Sequence, residues 1–149
     1  MKTNMNVRAQ AGVMLIEAMV AILIFSLGVL AVIQLQAVSI KQASGAQYRS
    51  MAALLANDLV SRMWASDKTP AVLQANFASS PAGASYTQWL TTVRNSGLPN
   101  VSSTPPTVSF TAGPASATGA ASTQATITVF WKAPGETDTH NYELVAQLK

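Results

Sequence analysis

Val13-Met-Leu-Ile-Glu-Ala-Met-Val-Ala-Ile-Leu-Ile-Phe-Ser-Leu-Gly-Val-Leu-Ala-Val-Ile33 is the stretch on which the reading of the whole chain turns. Between Arg8 and Lys41 the only charge is Glu17, and from Ala18 to Ile33 the run is apolar on every side. Coiled as a helix, 13–33 spans about 31 Å at 1.5 Å per residue, matching a hydrocarbon core about 30 Å thick. Its Leu, Ile, Val and Phe side chains together favour insertion by roughly 3 to 6 kcal/mol, while a carboxylate at mid-bilayer costs about 3 kcal/mol and less near an interface. Insertion wins, and Glu17 is a cost that calls for a reason.

The flanks set an orientation. Lys2 and Arg8 precede the run with no acid among the first twelve residues, which keeps the N-terminal end cytoplasmic and sends the remainder across the membrane. Three readings of the segment stand side by side. A cleaved secretory signal has a shorter apolar core followed by a small-residue cleavage site; Ala37 and Ser39 could serve, but the run is longer than that and carries an acid at its start. A plain single-pass anchor fits the length and leaves Glu17 unexplained. A segment in which the acid has a partner outside its own helix accounts for Glu17 directly.

Composition agrees with an anchor plus a modest domain. The chain has 149 residues, 49% hydrophobic and only 10% charged, against about 25% charged in an ordinary soluble domain. The formal net charge is +3. Its basic excess lies before Pro70, because Arg94, Lys132 and Lys149 balance Glu136, Asp138 and Glu143 after it. A neutral C-terminal part argues against nucleic-acid binding despite the basic pI. No cysteine is present, so thiolate metal sites, iron–sulfur clusters and disulfides are excluded.

Beyond Ile33 the pattern turns amphipathic. Ala52, Leu55, Leu59 and Met63 form a helical stripe. Asp58 and Arg62 can pair at i,i+4 for roughly 0.3 kcal/mol. There is no proline from Val13 to Thr69, and Pro70 pushes Thr69 out of helical geometry, so a helix from Val13 to about Ala65 stops near Ser66. Residues 71–105 read as irregular, with a turn-rich break at Ser79-Ser-Pro-Ala-Gly83 and a short helix from Tyr86 to Asn95 that turns Trp89, Leu90 and Val93 inward and closes at Gly97-Leu-Pro99. Three strands follow at 107–111, 125–132 and 141–148, each with one apolar face. The Ala/Ser/Thr/Gly-rich segment Gly113–Ser122 reads as a flexible loop, and Ala133-Pro-Gly-Glu136 opens the last connection. The expected fold class is α+β: a long N-terminal helix, apolar in its transmembrane half (about 13–35) and amphipathic in its second half, packed on a small antiparallel sheet. The expected division is 1–12, a helix over 13–66, and a head over 67–149. So small a head is marginal by itself, and the helix stripe is its expected extra core.

The stretch Ala11-Gly12-Val13-Met14-Leu15-Ile16-Glu17 resembles the prepilin processing site of type IV pilins. In that family a short basic leader ends in glycine, a membrane peptidase cuts after it and methylates the new amine, and the fifth mature residue is glutamate. The resemblance places the leader's end at Gly12, the mature start at Val13 and the family's glutamate at Glu17. Ala11, Val13 and Met14 depart from the basic, Phe and hydroxyl residues usual there. The chemistry suits the assignment. Gly12 has no side chain to keep a protease from its carbonyl. The cation exposed at Val13 gains several kcal/mol from a carboxylate within about 4 Å in a partly desolvated setting. Glu17 of one subunit would then pair with the Val13 amine of a neighbour and set register between otherwise featureless apolar helices.

The pattern from Ile16 to Gly28, with Leu35-Gln36, Ala56-Asn-Asp-Leu-Val-Ser-Arg-Met63, Trp89 before Gly97-Leu-Pro99, and Val129-Phe-Trp131, is similar to PilV-type minor pilins. That likeness implies a structural subunit that primes pilus assembly and bears on adhesion or twitching motility. It implies as partners other major and minor pilins, the prepilin peptidase/methylase, the inner-membrane assembly platform, and membrane lipid before assembly, with no nucleic acid. It implies a single-pass bacterial inner-membrane protein with a periplasmic head, later carried to the surface. A type II secretion minor pseudopilin shares the same scaffold, and a membrane-tethered periplasmic binding domain is the alternative from another class.

The sequence offers no catalytic constellation, and an enzyme, a cofactor and a metal are not expected. His140 is the only histidine, too few ligands for a metal site, and reads as a solvated loop residue. Trp64, Trp89 and Trp131 read as core and helix-packing residues, and Asp58 as part of a solvated helix face.

Overall fold

The computed structural model describes residues 6–112 and 122–149, with side chains from Gly12 onward. Lys2 and Arg8 of the expected leader, and most of the loop expected from Gly113, lie outside the described residues or side chains. The order is α1 (Asn6–Trp64), α2 (Pro70–Phe77), α3 (Ala84–Arg94), β1 (Thr107–Ala112), β2 (Thr123–Trp131) and β3 (His140–Leu148). The chain thus has one long N-terminal helix, apolar in its first part, and a small three-stranded antiparallel sheet. It divides into two units, Met1–Ala43 and Ser44–Lys149.

In the first unit α1 starts at Asn6, upstream of Val13, so Gly12 does not interrupt the helix. From Gly12 to Ala43 every residue is exposed. It is the one helix among the described residues long and apolar enough to cross a membrane.

The second unit has a continuous core. The stripe Ala52, Leu55, Leu59 and Met63 is buried, as its spacing predicts, because residues three and four apart share a helix face. α1 ends at Trp64, where Ser66 turns back and its amide and hydroxyl both donate to the Met63 carbonyl (3.2 and 2.8 Å). Asp67 then accepts from the Thr69 amide (2.9 Å) and hydroxyl (2.7 Å).

Pro70 both closes one helix and opens the next. Thr69 is extended (φ −58, ψ 128) as a residue before proline must be, and Pro70 occupies the first turn of α2. The segment read as irregular therefore contains a helix that buries Leu73 and Phe77. Gly83 is required for close approach: a Cβ there would lie 2.2 Å from the Asn76 carbonyl carbon and oxygen. α3 buries Tyr86, Trp89 and Val93, and Gly97 takes a positive φ of 85, where glycine carries no Cβ penalty.

The sheet order is β1-β2-β3, with Thr107↔Thr128 and Val108↔Ile127 in one ladder and Ile127↔Leu144 and Val129↔Tyr142 in the other. β2 lays Ala125, Ile127, Val129 and Trp131 into the core, while Leu144 and Tyr142 pack against it from β3. Pro134 and Gly135 occupy the centre of the following turn, closed by Glu136 N–H donating to Ala133 O at 3.2 Å, with Gly135 at φ 80.

Polar bonds pin the layers. The Trp89 indole N–H donates to Leu55 O (3.0 Å), and the Tyr86 hydroxyl donates to Pro106 O (2.7 Å), both buried. On the outer edge of β1, the Ser79 amide and hydroxyl both donate to Val108 O, and Val108 N–H donates to Ser79 Oγ at 3.0 Å.

Candidate functional site

The residues singled out in the sequence lie together on α1. Gly12, Val13 and Glu17 fall within little more than a turn, since Val13 and Glu17 are i,i+4 neighbours. All three are exposed. A Cβ added at Gly12 meets nothing within 4 Å. Glycine costs a helix roughly 1 kcal/mol relative to alanine, so neither packing nor backbone geometry in this unit accounts for it. Glu17 makes no hydrogen bond or ion pair among the described residues.

The surroundings of Glu17 offer it no polar company. Ile16 and Val20, close by on the same helix, are both exposed. Farther along, the Ser26 hydroxyl donates back to the Ile22 carbonyl (2.7 Å), which internalises a polar group as lipid demands. At Gly28 a shallow apolar groove opens, lined by Phe25, Val29, Val32, Ile33 and Gln36.

Besides α2, the second unit departs from the sequence reading at Trp64 and His140. Trp64 is 47% exposed rather than core; it follows Met63 by one residue, so it points off the buried stripe, and the Lys68 ammonium sits 5.1 Å from its ring centroid. His140 opens β3 rather than lying in a loop. Its Nε2 is 2.6 Å from the Glu136 carboxylate, and its ring stacks on Trp131 with centroids 5.8 Å apart. Asp58 pairs with Arg62 at 3.0 Å, i,i+4 on the partly exposed face of its helix, as the spacing predicts. Among the described residues, no group of three or more His, Cys, Asp or Glu is placed to hold a metal ion.

Sequence reasoning missed a cleft of mixed polarity, about 370 Å³, between α1 and the β2–β3 connection. Arg49, Trp131, Glu136, Thr139, His140 and Asn141 line it, beside Gly45. Its walls come from two stretches of sequence far apart, and neither carries a motif by itself.

Set against protein-family models, curated proteins and solved structures, the chain matches none of them.

Proposed function

We propose that the protein is a type IV pilin-like subunit, specifically a PilV-type minor pilin, whose first unit enters the membrane and then joins a filament. The reading rests on one observation: an unpartnered carboxylate, Glu17, on an apolar exposed helix, four residues past Val13. Gly12, which the fold does not require, adds support.

Cleavage after Gly12 breaks the peptide bond to Val13 with water and leaves a carboxylate on the leader and an ammonium on Val13. In its own chain the new amine and Glu17 lie one turn apart. In an assembled filament, the Glu17 carboxylate of one copy takes the Val13 ammonium of a neighbour, and both charges leave lipid as a pair. The apolar remainder of the helix supplies contact area with neighbouring helices but no register, since Leu, Ile and Val side chains resemble lipid tails in polarity. The second unit, which fills its own core, is the head carried by that helix.

The test is N-terminal mass spectrometry of protein isolated from cells that mature other prepilins, together with a Glu17→Val variant. The expected mature protein starts at a methylated Val13, and E17V is inserted and cleaved yet absent from sheared filaments. A chain retaining its first twelve residues, or an E17V subunit incorporated normally, sinks the reading and leaves a membrane-tethered domain.

A further inference from the structure

The cleft beside Gly45 is lined by donors that the protein itself does not use. Trp131 is only 5% exposed, yet no acceptor among the described residues takes its indole N–H, and it is not a sealed orphan. Trp89 provides the contrast within the same core, since its N–H is spent on the Leu55 carbonyl. Arg49 on α1 has no acid partner among the described residues, where Asp58 pairs with Arg62 and Glu136 contacts His140. Thr139 and Asn141 likewise make no side-chain hydrogen bond there.

The one carboxylate lining the cleft, Glu136, is already engaged by His140 at 2.6 Å. Arg49, Trp131, Asn141 and Thr139 thus bring to the lining of the cleft a guanidinium, an indole N–H, an amide and a hydroxyl that no described residue engages. Gly45 widens the mouth, since nothing lies within 4 Å of where its Cβ would be. The volume of about 370 Å³ falls in the range of small-ligand sites, roughly 300–1,000 Å³.

We propose that this cleft binds a carboxylate group, with Arg49 as its forked anchor and the Trp131 indole N–H as a second donor. A guanidinium matches the two oxygens of a carboxylate in one plane, and charge-assisted bonds of this kind are about twice as strong as neutral ones. The His140–Glu136 pair forms part of the wall, and Glu136 makes no ion pair with Arg49. The carboxylate comes either from a free small acid or from an acidic side chain of another protein. The site is independent of the filament reading, because every residue in it lies in the second unit.

The test uses the full chain in detergent micelles, ¹⁵N-labelled, with the tryptophan indole N–H signals followed by NMR. The probes are N-acetylglutamate α-amide and its glutamine counterpart, which differ only in the side-chain carboxylate. The acid is expected to shift the Trp131 signal saturably, to leave the Trp89 signal in place, and to bind about tenfold or more tightly than the amide. Arg49→Gln, at an exposed position, is expected to remove that preference without moving the Trp89 signal. A blocked pentapeptide with a central glutamate separates the sources: binding of acid and peptide assigns the site to a protein's acidic side chain, binding of the acid alone to free acids. Equal response to acid and amide, no shift at Trp131, or an R49Q variant with unchanged preference overturns the proposal.

Discussion

Helix α1 holds two segments of the same secondary structure with opposite relations to their surroundings. From Gly12 to Ala43 all residues are exposed, whatever their polarity. From Ser44 to Trp64 the helix is sorted by face, with Ala52, Leu55, Ala56, Leu59 and Met63 buried and Leu54, Asn57, Ser61 and Trp64 left outside. Both are helical because both are rich in good helix formers and free of proline. The difference lies in what completes them. In the second segment the chain supplies its own covering layer, while in the first no described residue covers the apolar side chains. Periodicity tells the two apart: one segment carries an apolar stripe, the other is apolar on every side.

Substitution at the buried end of this contrast should have the largest effect. Trp89→Ala removes a fully buried indole that both fills the core and donates to Leu55 O, and is expected to cost about 3–5 kcal/mol. Phe25→Ala, at a side chain 72% exposed in the first unit, should leave the same unfolding transition unmoved. Denaturant unfolding of the full chain in micelles, followed by near-UV circular dichroism, reads both. A Phe25 variant that destabilises the second unit as much as the Trp89 variant would erase the distinction.

A smaller effect sharpens it. Tyr86→Phe leaves Pro106 O without its buried donor and should cost about 1–2 kcal/mol. Burial also pushes the Tyr86 hydroxyl above its ordinary value of 10.0, against an opposing pull from Arg94. The neutral phenol is therefore favoured in the folded state, and its contribution is present in full below pH 10 and lost as pH rises through the raised value. Ultraviolet titration of the folded protein should show a phenol ionising late, and Y86F should remove that step.

The smallest effect lies at the exposed turn after α1. The Thr69 hydroxyl, and next its amide, hold the Asp67 carboxyl below its ordinary 3.8. A lowered carboxyl contributes stability above its unfolded value and loses it as pH falls through the folded one. Wild type and Asp67→Ala should therefore differ slightly in unfolding midpoint at neutral pH and converge in acid below 3.8.

Much of this architecture is legible in the residues. The stripe at 52, 55, 59 and 63 marks the buried face of α1, and alternation about Ile127, Val129 and Trp131 marks that of β2, because both patterns repeat at the period of their element. α2 escapes a reading in which proline serves only as a stop, and its eight residues offer just one apolar repeat, Leu73 and Phe77. Trp64 reads as inward on its size alone, although its phase relative to Met63 places it outside. Gly12, Val13 and Glu17 can be found from sequence because they are local. The donors around Arg49 and Trp131 cannot, since folding alone brings them to one space.

The contacts of Ser79 with Val108 give the sheet two unlike margins. On the β1 side that serine takes up both the amide and the carbonyl of Val108, while β3 has no backbone bond beyond its β2 ladder among the described residues. An added strand would have to displace Ser79 to pair at Val108, whereas along β3 it would find the backbone groups unengaged.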